Sequence, residues 1–299
     1  MVKLSVVINT LNEEKNLARA VSSVKGLAEE VVVVDMKSDD KTQEVAKKLG
    51  AQVFEHPRMD YVEPARNFAI AKATGDWILI LDADEEVPET LVKKIIRELK
   101  APGADYFRIP RKNLIFGKWV RHSNWWPDYN IRLFKKGAVS WSEVIHSVPM
   151  TQGKGMDFPD KEEYALVHHH YQSISQYLVR LDRYSSIQSK DLLQSGYNFK
   201  WQDLIKNPGD EFLRRYFAAE GYKDGVHGLA LSLLQSFYEL VVILKVWEGQ
   251  KFVRQDIEID RFNESIGNTL SDFNYWKADV EVKQKGGVLS RLKRKFKLP

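Results

Sequence analysis

Carboxylates and amides crowd three short stretches of the chain: Asn9-Thr10-Leu11-Asn12-Glu13, Asp35-Met36-Lys37-Ser38-Asp39-Asp40 and Asp82-Ala83-Asp84-Glu85-Glu86. Each follows a short apolar run that reads as a β-strand, so the three would meet at one end of a sheet. Acidic groups gathered there are costly unless a cation sits among them, and oxygen ligands select a hard ion, Mg²⁺ or Mn²⁺, together with a phosphorylated ligand. An aspartate after a strand, taken singly, is more often a helix cap; three coincident clusters argue for ligand binding. Further candidates follow at Trp125-Trp126-Pro127-Asp128, Arg132, Glu143 and His168-His169-His170. Neighbours in an extended segment alternate faces, so of the three histidines only His168 and His170 can share a side. The chain has no cysteine, which excludes disulfides, thiolate metal sites and cysteine nucleophiles. It also lacks GxGxxG and Walker loops, so dinucleotide-binding and P-loop readings fail.

The elements that must position these residues alternate in type. Residues 4–8, 30–35, 52–55, 77–81 and 106–109 read as strands. Helical periodicity marks residues 13–24, 42–49, 64–72 and 89–100. Strand–helix alternation with short links predicts an α/β fold, a mostly parallel doubly wound sheet with helices on both faces. Ligands in such a sheet bind beyond the carboxyl ends of the strands, where the three clusters fall. After residue 111, aromatic and basic residues crowd in, with strand-like pieces near 130–134 and 165–168. Helices are expected over 174–195, 210–221 and 228–249. The expected organisation is a catalytic domain over residues 1–172, a helical C-terminal region over 173–282 and a basic amphipathic tail over 283–299.

Charge is unevenly spread. Of 299 residues, 45 are Lys or Arg and 41 Asp or Glu, a net +4. The seven Lys/Arg from Lys283 onward have no acid among them, so a +7 tail is carried by a body of −3. In that tail Val288, Leu289, Leu292 and Phe296 recur at helical spacing among basic residues, a pattern for an anionic membrane surface; a solvated terminus is the alternative. Nothing supports nucleic-acid binding, since a second basic patch with interleaved aromatics is missing. The first residues lack a secretory pattern. The apolar stretch 229–247 is interrupted by Gln235, Glu239 and Lys245, and a charge mid-span costs about 2.5–3.5 kcal/mol. The expectation is a cytoplasmic protein with peripheral contact at the inner membrane face.

VVINTLNEEKNL, then VVVVDMKSDDKT, then EPARNFAIAKATGDWILILDADE resemble the family-2 glycosyltransferases of GT-A fold in order, spacing and strand context over about residues 1–100. WWPDYNIRLF, ALVHHHY and FLRRYFAAEGYKDGVHGL are similar to a bacterial subset acting on lipopolysaccharide core and related surface glycans. The resemblance implies a metal-dependent, inverting, hexosyltransferase-like enzyme. It would take a sugar from a nucleotide donor, UDP-linked, to a glycolipid or oligosaccharide acceptor. Thr10 and Asp35 would line the nucleobase pocket, with Asn12, Glu13 and Asp39 beside them in the donor loops. Arg66 would sit near the nucleotide and Arg132 would meet the diphosphate. Asp82 would face the ribose or a metal-bound water, and Asp84 would bind Mn²⁺ or Mg²⁺, with His168 or His170 completing the shell. The general base is Asp128 or Glu143, because Ser147 follows His146 where related enzymes often carry an acid. Two other readings stand beside this one. A nucleotidyltransferase of related fold usually has a Gly-rich, Lys-containing first loop, which TLNEEKNL is not. A non-catalytic membrane-associated scaffold would not need Asp82 and Asp84.

Overall fold

Six of the seven residues of the first strand, LSVVINT, are buried, as a strand covered on both faces requires. This strand, β1 (Leu4–Thr10), is the centre of the fold. Leu4, Val6 and Ile8 pack on one side with Leu17, Ala20 and Val21 of α1 (Leu17–Ser23), Ala46 of α2 (Thr42–Lys48), and Leu91 and Ile95 of α4 (Glu89–Lys100). Val7 points the other way. It joins Val32 and Val34 of β2 (Glu30–Asp35), Ile78 and Ile80 of β4 (Trp77–Ile80), and Ala69 and Ile70 of α3 (Glu63–Lys72). Period-two alternation thus serves two cores from one strand.

The computed structural model describes residues 2–59, 62–141 and 149–299. The chain forms two compact units, Met1–Leu114 with Trp126–His170, and Ile115–Trp125 with Tyr171–Pro299. In the first unit, β3 (Gln52–Glu55), β2, β1 and β4 pair in parallel, in that order. Beyond β4 the sheet becomes mixed. β8 (Asp128–Lys135) runs antiparallel to β4 and to β6 (Tyr106–Ile115), and β12 (Leu166–Tyr171) pairs antiparallel with the two-residue β5 (Glu85–Glu86). The doubly wound half is parallel, therefore, and the antiparallel half carries the late residues back to it. Two short strands, β9 (Val139–Ser140) and β10 (Met150–Thr151), form a separate pair, while β11 (Gly155–Asp157) adds to β6. β6 continues six residues past the expected end at 109, because its polar side chains are paired within the unit rather than solvated.

The second unit contains β7 (Lys118–Trp119) and five helices: α5 (Ile174–Gln194), α6 (Asp203–Leu213), α7 (Val226–Gly249), α8 (Ile259–Lys285) and α9 (Val288–Phe296). The helix expected over 210–221 starts earlier, at Asp203, and is not regular to its end. α6 ends at Leu213, a π turn follows over Arg214–Ala218, and Gly221–Asp224 is a 3-10 turn. Buried Glu211 fixes the π turn by accepting from Arg214 and Arg215, each at 2.5 Å. α7 is long and apolar enough to cross a membrane, yet Leu231, Ile243 and Val246 are buried against the other helices of the unit. α8 has no counterpart in the sequence reading, since its mixed polar surface lacks a clean apolar stripe. Gly286 and Gly287, both at positive φ, let the tail fold back as α9 beside α8. Arg294 reaches Asp279 at 2.9 Å and Lys297 reaches Asp272 at 2.7 Å.

Candidate active site

The loops after β1 and β2 are stitched to each other by side chains. Thr10 lies opposite Asp35 in the parallel register, and its hydroxyl donates to Asp35 Oδ1 at 3.1 Å. Asp35 is fully buried and also accepts from the Ser38 amide (2.9 Å), the Ser38 hydroxyl (2.5 Å) and Gln43 Nε2 (3.0 Å). Four donors fill the carboxylate, so a base N–H would have to displace one. Asn12 has a φ of 59°, a conformation asparagine tolerates well, and its Oδ1 accepts the Asp39 amide at 2.8 Å. Asp39 makes an exposed pair with Arg58, while Asp40 takes a capping role, accepting from the amides of Glu14 and Thr42. Glu13 accepts from Asn16 at 2.8 Å.

Behind the third cluster lies a buried charge network. Arg132, 2% exposed, places Nη2 at 2.6 Å from Asp82 and 2.5 Å from Glu85. Arg66 approaches Asp82 at 3.3 Å and lies over the Trp141 ring; Arg111 stands 3.6 Å from Glu85. Burial alone would disfavour charge on Asp82, but Arg132, Arg66 and Arg111 hold it well below the usual carboxylate range. For Glu85 burial prevails, reinforced by Asp82, and pushes it up. Arg132 Nε is buried with no hydrogen-bond partner among the described residues. Three guanidiniums, Arg66, Arg111 and Arg132, therefore gather against three carboxylates, Asp82, Glu85 and, on Arg111, Asp128, and Arg132 Nε is the donor left over.

Asp84 turns away from that network. The β5–β12 pairing sets Glu85 opposite His168, and the His169 amide donates to the Asp84 carbonyl at 2.9 Å. Asp84 Oδ2 then lies 3.5 Å from His168 Nε2, which is 3.2 Å from His170 Nδ1. One ligand atom from each of Asp84, His168 and His170 lies within 4.8 Å of the others. His169, on the opposite face of β12, meets Glu86 at 3.4 Å. One carboxylate oxygen and two imidazole nitrogens make a donor set that fits a divalent ion, and the imidazoles favour Mn²⁺ over oxygen-seeking Mg²⁺.

Asp128 begins β8 and is paired with Arg111 at 2.6 Å; it also accepts from Asn113 Nδ2 at 3.1 Å and Asn130 Nδ2 at 3.2 Å. Buried Asn113 in turn presents Oδ1 to His168 Nδ1 at 2.6 Å. Glu143 and His146 lie outside the described residues. Asp84, His168 and His170 are therefore brought together, whereas Asp82 is held with Arg66 and Arg132 instead of in that trio. Thr10, Asn12, Glu13, Asp35 and Asp39 form their own neighbourhood at the β1 and β2 ends. Glu85 stands in the third acidic cluster with no role of its own in the sequence reading, and Arg111 and Asn113 are absent from it. Arg111 and Asn113 are two apart on β6, hence on one face, a signal hidden because Pro110 and the charged residues after it break the apolar run of the strand.

Residues 5–153 match the model of glycosyl transferase family 2. An uncharacterized glycosyltransferase of Rickettsia typhi is 33% identical over 272 residues, which span 88% of this chain and 92% of the relative. The lipopolysaccharide core biosynthesis glycosyltransferase LpsC of Rhizobium meliloti is 24% identical over 82% of this chain and 92% of its own. Among solved structures, the glucosyl-3-phosphoglycerate synthase of Mycobacterium tuberculosis aligns with 38% of this chain and 44% of its own, at 24% identity and a TM-score of 0.33; so low a score leaves the assignment to the sequence relatives. With more than nine-tenths of a 33%-identical glycosyltransferase spanned, the chain belongs to glycosyl transferase family 2.

Proposed function

We propose that this glycosyltransferase moves a sugar from a UDP-linked donor, with inversion, to a lipid-linked or oligosaccharide acceptor in surface-glycan synthesis, at the cytoplasmic face of the membrane. The observation that carries the reading is the Asp84–His168–His170 trio one residue from an arginine-rich network, both at the carboxyl ends of the strands. A diphosphate needs these two environments together. Bound at the trio, Mn²⁺ or Mg²⁺ would neutralise charge developing on the departing nucleoside diphosphate. Arg66 and Arg132 would orient the phosphates, and Thr10, Asn12, Glu13, Asp35 and Asp39 would hold the nucleoside. Asp128 or Glu143 would take the proton from the attacking acceptor hydroxyl. The resemblance of the late segments to surface-glycan enzymes supports the acceptor class, and the exposed basic helix α9 supports membrane contact. UDP and Mn²⁺ should stabilise the protein jointly, by more than either alone, because each binds better with the other present. Thermal-shift titration of wild type and Asp84→Asn tests this. The variant should lose the joint increment and the metal-dependent turnover, and full metal-dependent turnover in it would overturn the assignment.

A further inference from the structure

We infer that Asn113 is a positioning residue that fixes the tautomer of His168 for the divalent cation, and that the Arg111–Asp128 pair fixes Asn113. The inference rests on the metal reading above and assigns a role to residues outside the metal trio. Asp128, held by the Arg111 guanidinium at 2.6 Å, offers only acceptors. The Asn113 group facing it at 3.1 Å is therefore the NH₂, which turns the amide carbonyl toward His168 Nδ1 at 2.6 Å. A carbonyl can only accept, so Nδ1 carries the proton and Nε2 presents its lone pair. Nε2 is the atom that faces Asp84 at 3.5 Å and His170 at 3.2 Å. Burial removes the alternatives, since Asn113 is 1% and His168 4% exposed, and water cannot readily replace either partner. The chain of contacts runs in one direction, from a charge pair to an amide to an imidazole, and its end is a ligand lone pair.

The test uses the full chain. Nitrogen chemical shifts of ¹⁵N-histidine-labelled protein without metal should report His168 protonated at Nδ1; protonation at Nε2 overturns the inference without need of a variant. Calorimetric titration of Mn²⁺ in the presence of UDP should show affinity falling 10–100-fold in Asn113→Leu, the usual scale for removing a partner behind a histidine ligand. The tautomer preference should be lost in the same variant. Asn113→Asp combined with Asp128→Asn keeps an acceptor toward Nδ1 and a donor between the two side chains and should lose far less affinity, which separates positioning from packing and serves if the leucine variant does not fold. Equal Mn²⁺ affinity in wild type and Asn113→Leu overturns the inference alone. Absence of Mn²⁺ binding by wild type with UDP overturns the metal reading and this inference together.

Discussion

Arg132 is the residue on which the buried charges depend. Its single Nη2 serves both Asp82 and Glu85, and without it the fully buried Glu85 carboxylate would face half-buried Asp82. Arg132→Met should therefore destabilise the protein by about 3–5 kcal/mol, the scale for stranding a buried charge. The pH dependence has a definite sign. Asp82 is held low in the fold, so its contribution is present above the unfolded value of about 3.9 and is lost as pH falls toward the folded value. Glu85 is pushed up, and its contribution has the opposite sign, fading as pH rises. In the methionine variant both groups take up protons more readily, so its deficit in urea denaturation should be smaller at pH 5 than at pH 8. Equal deficits would mean that the carboxylates are not charged together in the fold. Asp128 poses a different question, because its carboxylate already accepts from Arg111, Asn113 and Asn130. If it is also the base, Asp128→Asn lowers turnover by about 10²–10⁴-fold even at saturating Mn²⁺ and UDP, and Glu143→Gln does not. Recovery of turnover at saturating Mn²⁺ would confine Asp128 to the support of Asn113, and Glu143→Gln should then show the pure turnover defect. In either case an α-linked donor should yield a β-glycoside, read from the anomeric coupling.

Elements were legible where one physical signal dominated. The valine run of β2 and the apolar strands β1 and β4 declare themselves, and with them the positions of the three acidic clusters. The antiparallel half was less legible because its strands carry polar side chains that are paired inside the unit. Arg111 and Asn113 interrupt the apolar pattern of β6, yet both are satisfied inside the unit by Asp128 and His168. No local rule announces that a two-residue strand at Glu85 will pair with β12, although that pairing assembles the histidine–aspartate trio. The GYKDGVHG segment shows the same limit. The helix expected to run to 221 stops at Ala218, before Glu220 with a φ of 56°, and beyond it Asp224 is buried, accepting the amides of Arg121 and His122 at 3.1 and 2.8 Å. Gly228 lets the start of α7 touch backbone, since a Cβ there would lie 1.8 Å from the Gly221 carbonyl oxygen. Gly228→Ala should consequently destabilise the helical unit by at least the roughly 1–3 kcal/mol typical of overpacking. Hydrogen exchange should locate the loss in α7 and the Gly221–Asp224 turn. Unchanged protection there would show that the backbone gives way at little cost.

For the whole molecule, charge and apolar exposure concentrate at the same end of the chain. The residues from Lys283 onward carry +7 against −3 for the rest, and three of the seven cations pair with acids of α8: Lys283 and Arg294 with Asp279, Lys297 with Asp272. The Arg294 and Lys297 pairs hold α9 in place, Lys283 pairing within α8 itself, while the apolar edge of α9 stays outside; Val288 is 75% and Phe296 60% exposed. A helix so placed presents apolar side chains and the remaining cations without first having to fold. Such an arrangement would suit the proposed contact with an anionic leaflet, whose headgroup boundary rewards both. Each basic residue near such a surface contributes about 1 kcal/mol. Removal of residues 286–299 should leave α8 complete, and donor binding intact because no proposed site residue lies there. Co-sedimentation with phosphatidylserine vesicles should fall in the truncated chain. In the full chain it should fall as salt rises, since the screening length shrinks from about 10 Å at 0.1 M to about 3 Å at 1 M. Leu289→Ser with Phe296→Ser keeps every charge and should still weaken binding if the apolar edge inserts. Equal sedimentation of truncated and full-length chains at low salt would remove α9 from membrane contact and transfer that role to the exposed apolar residues of α7.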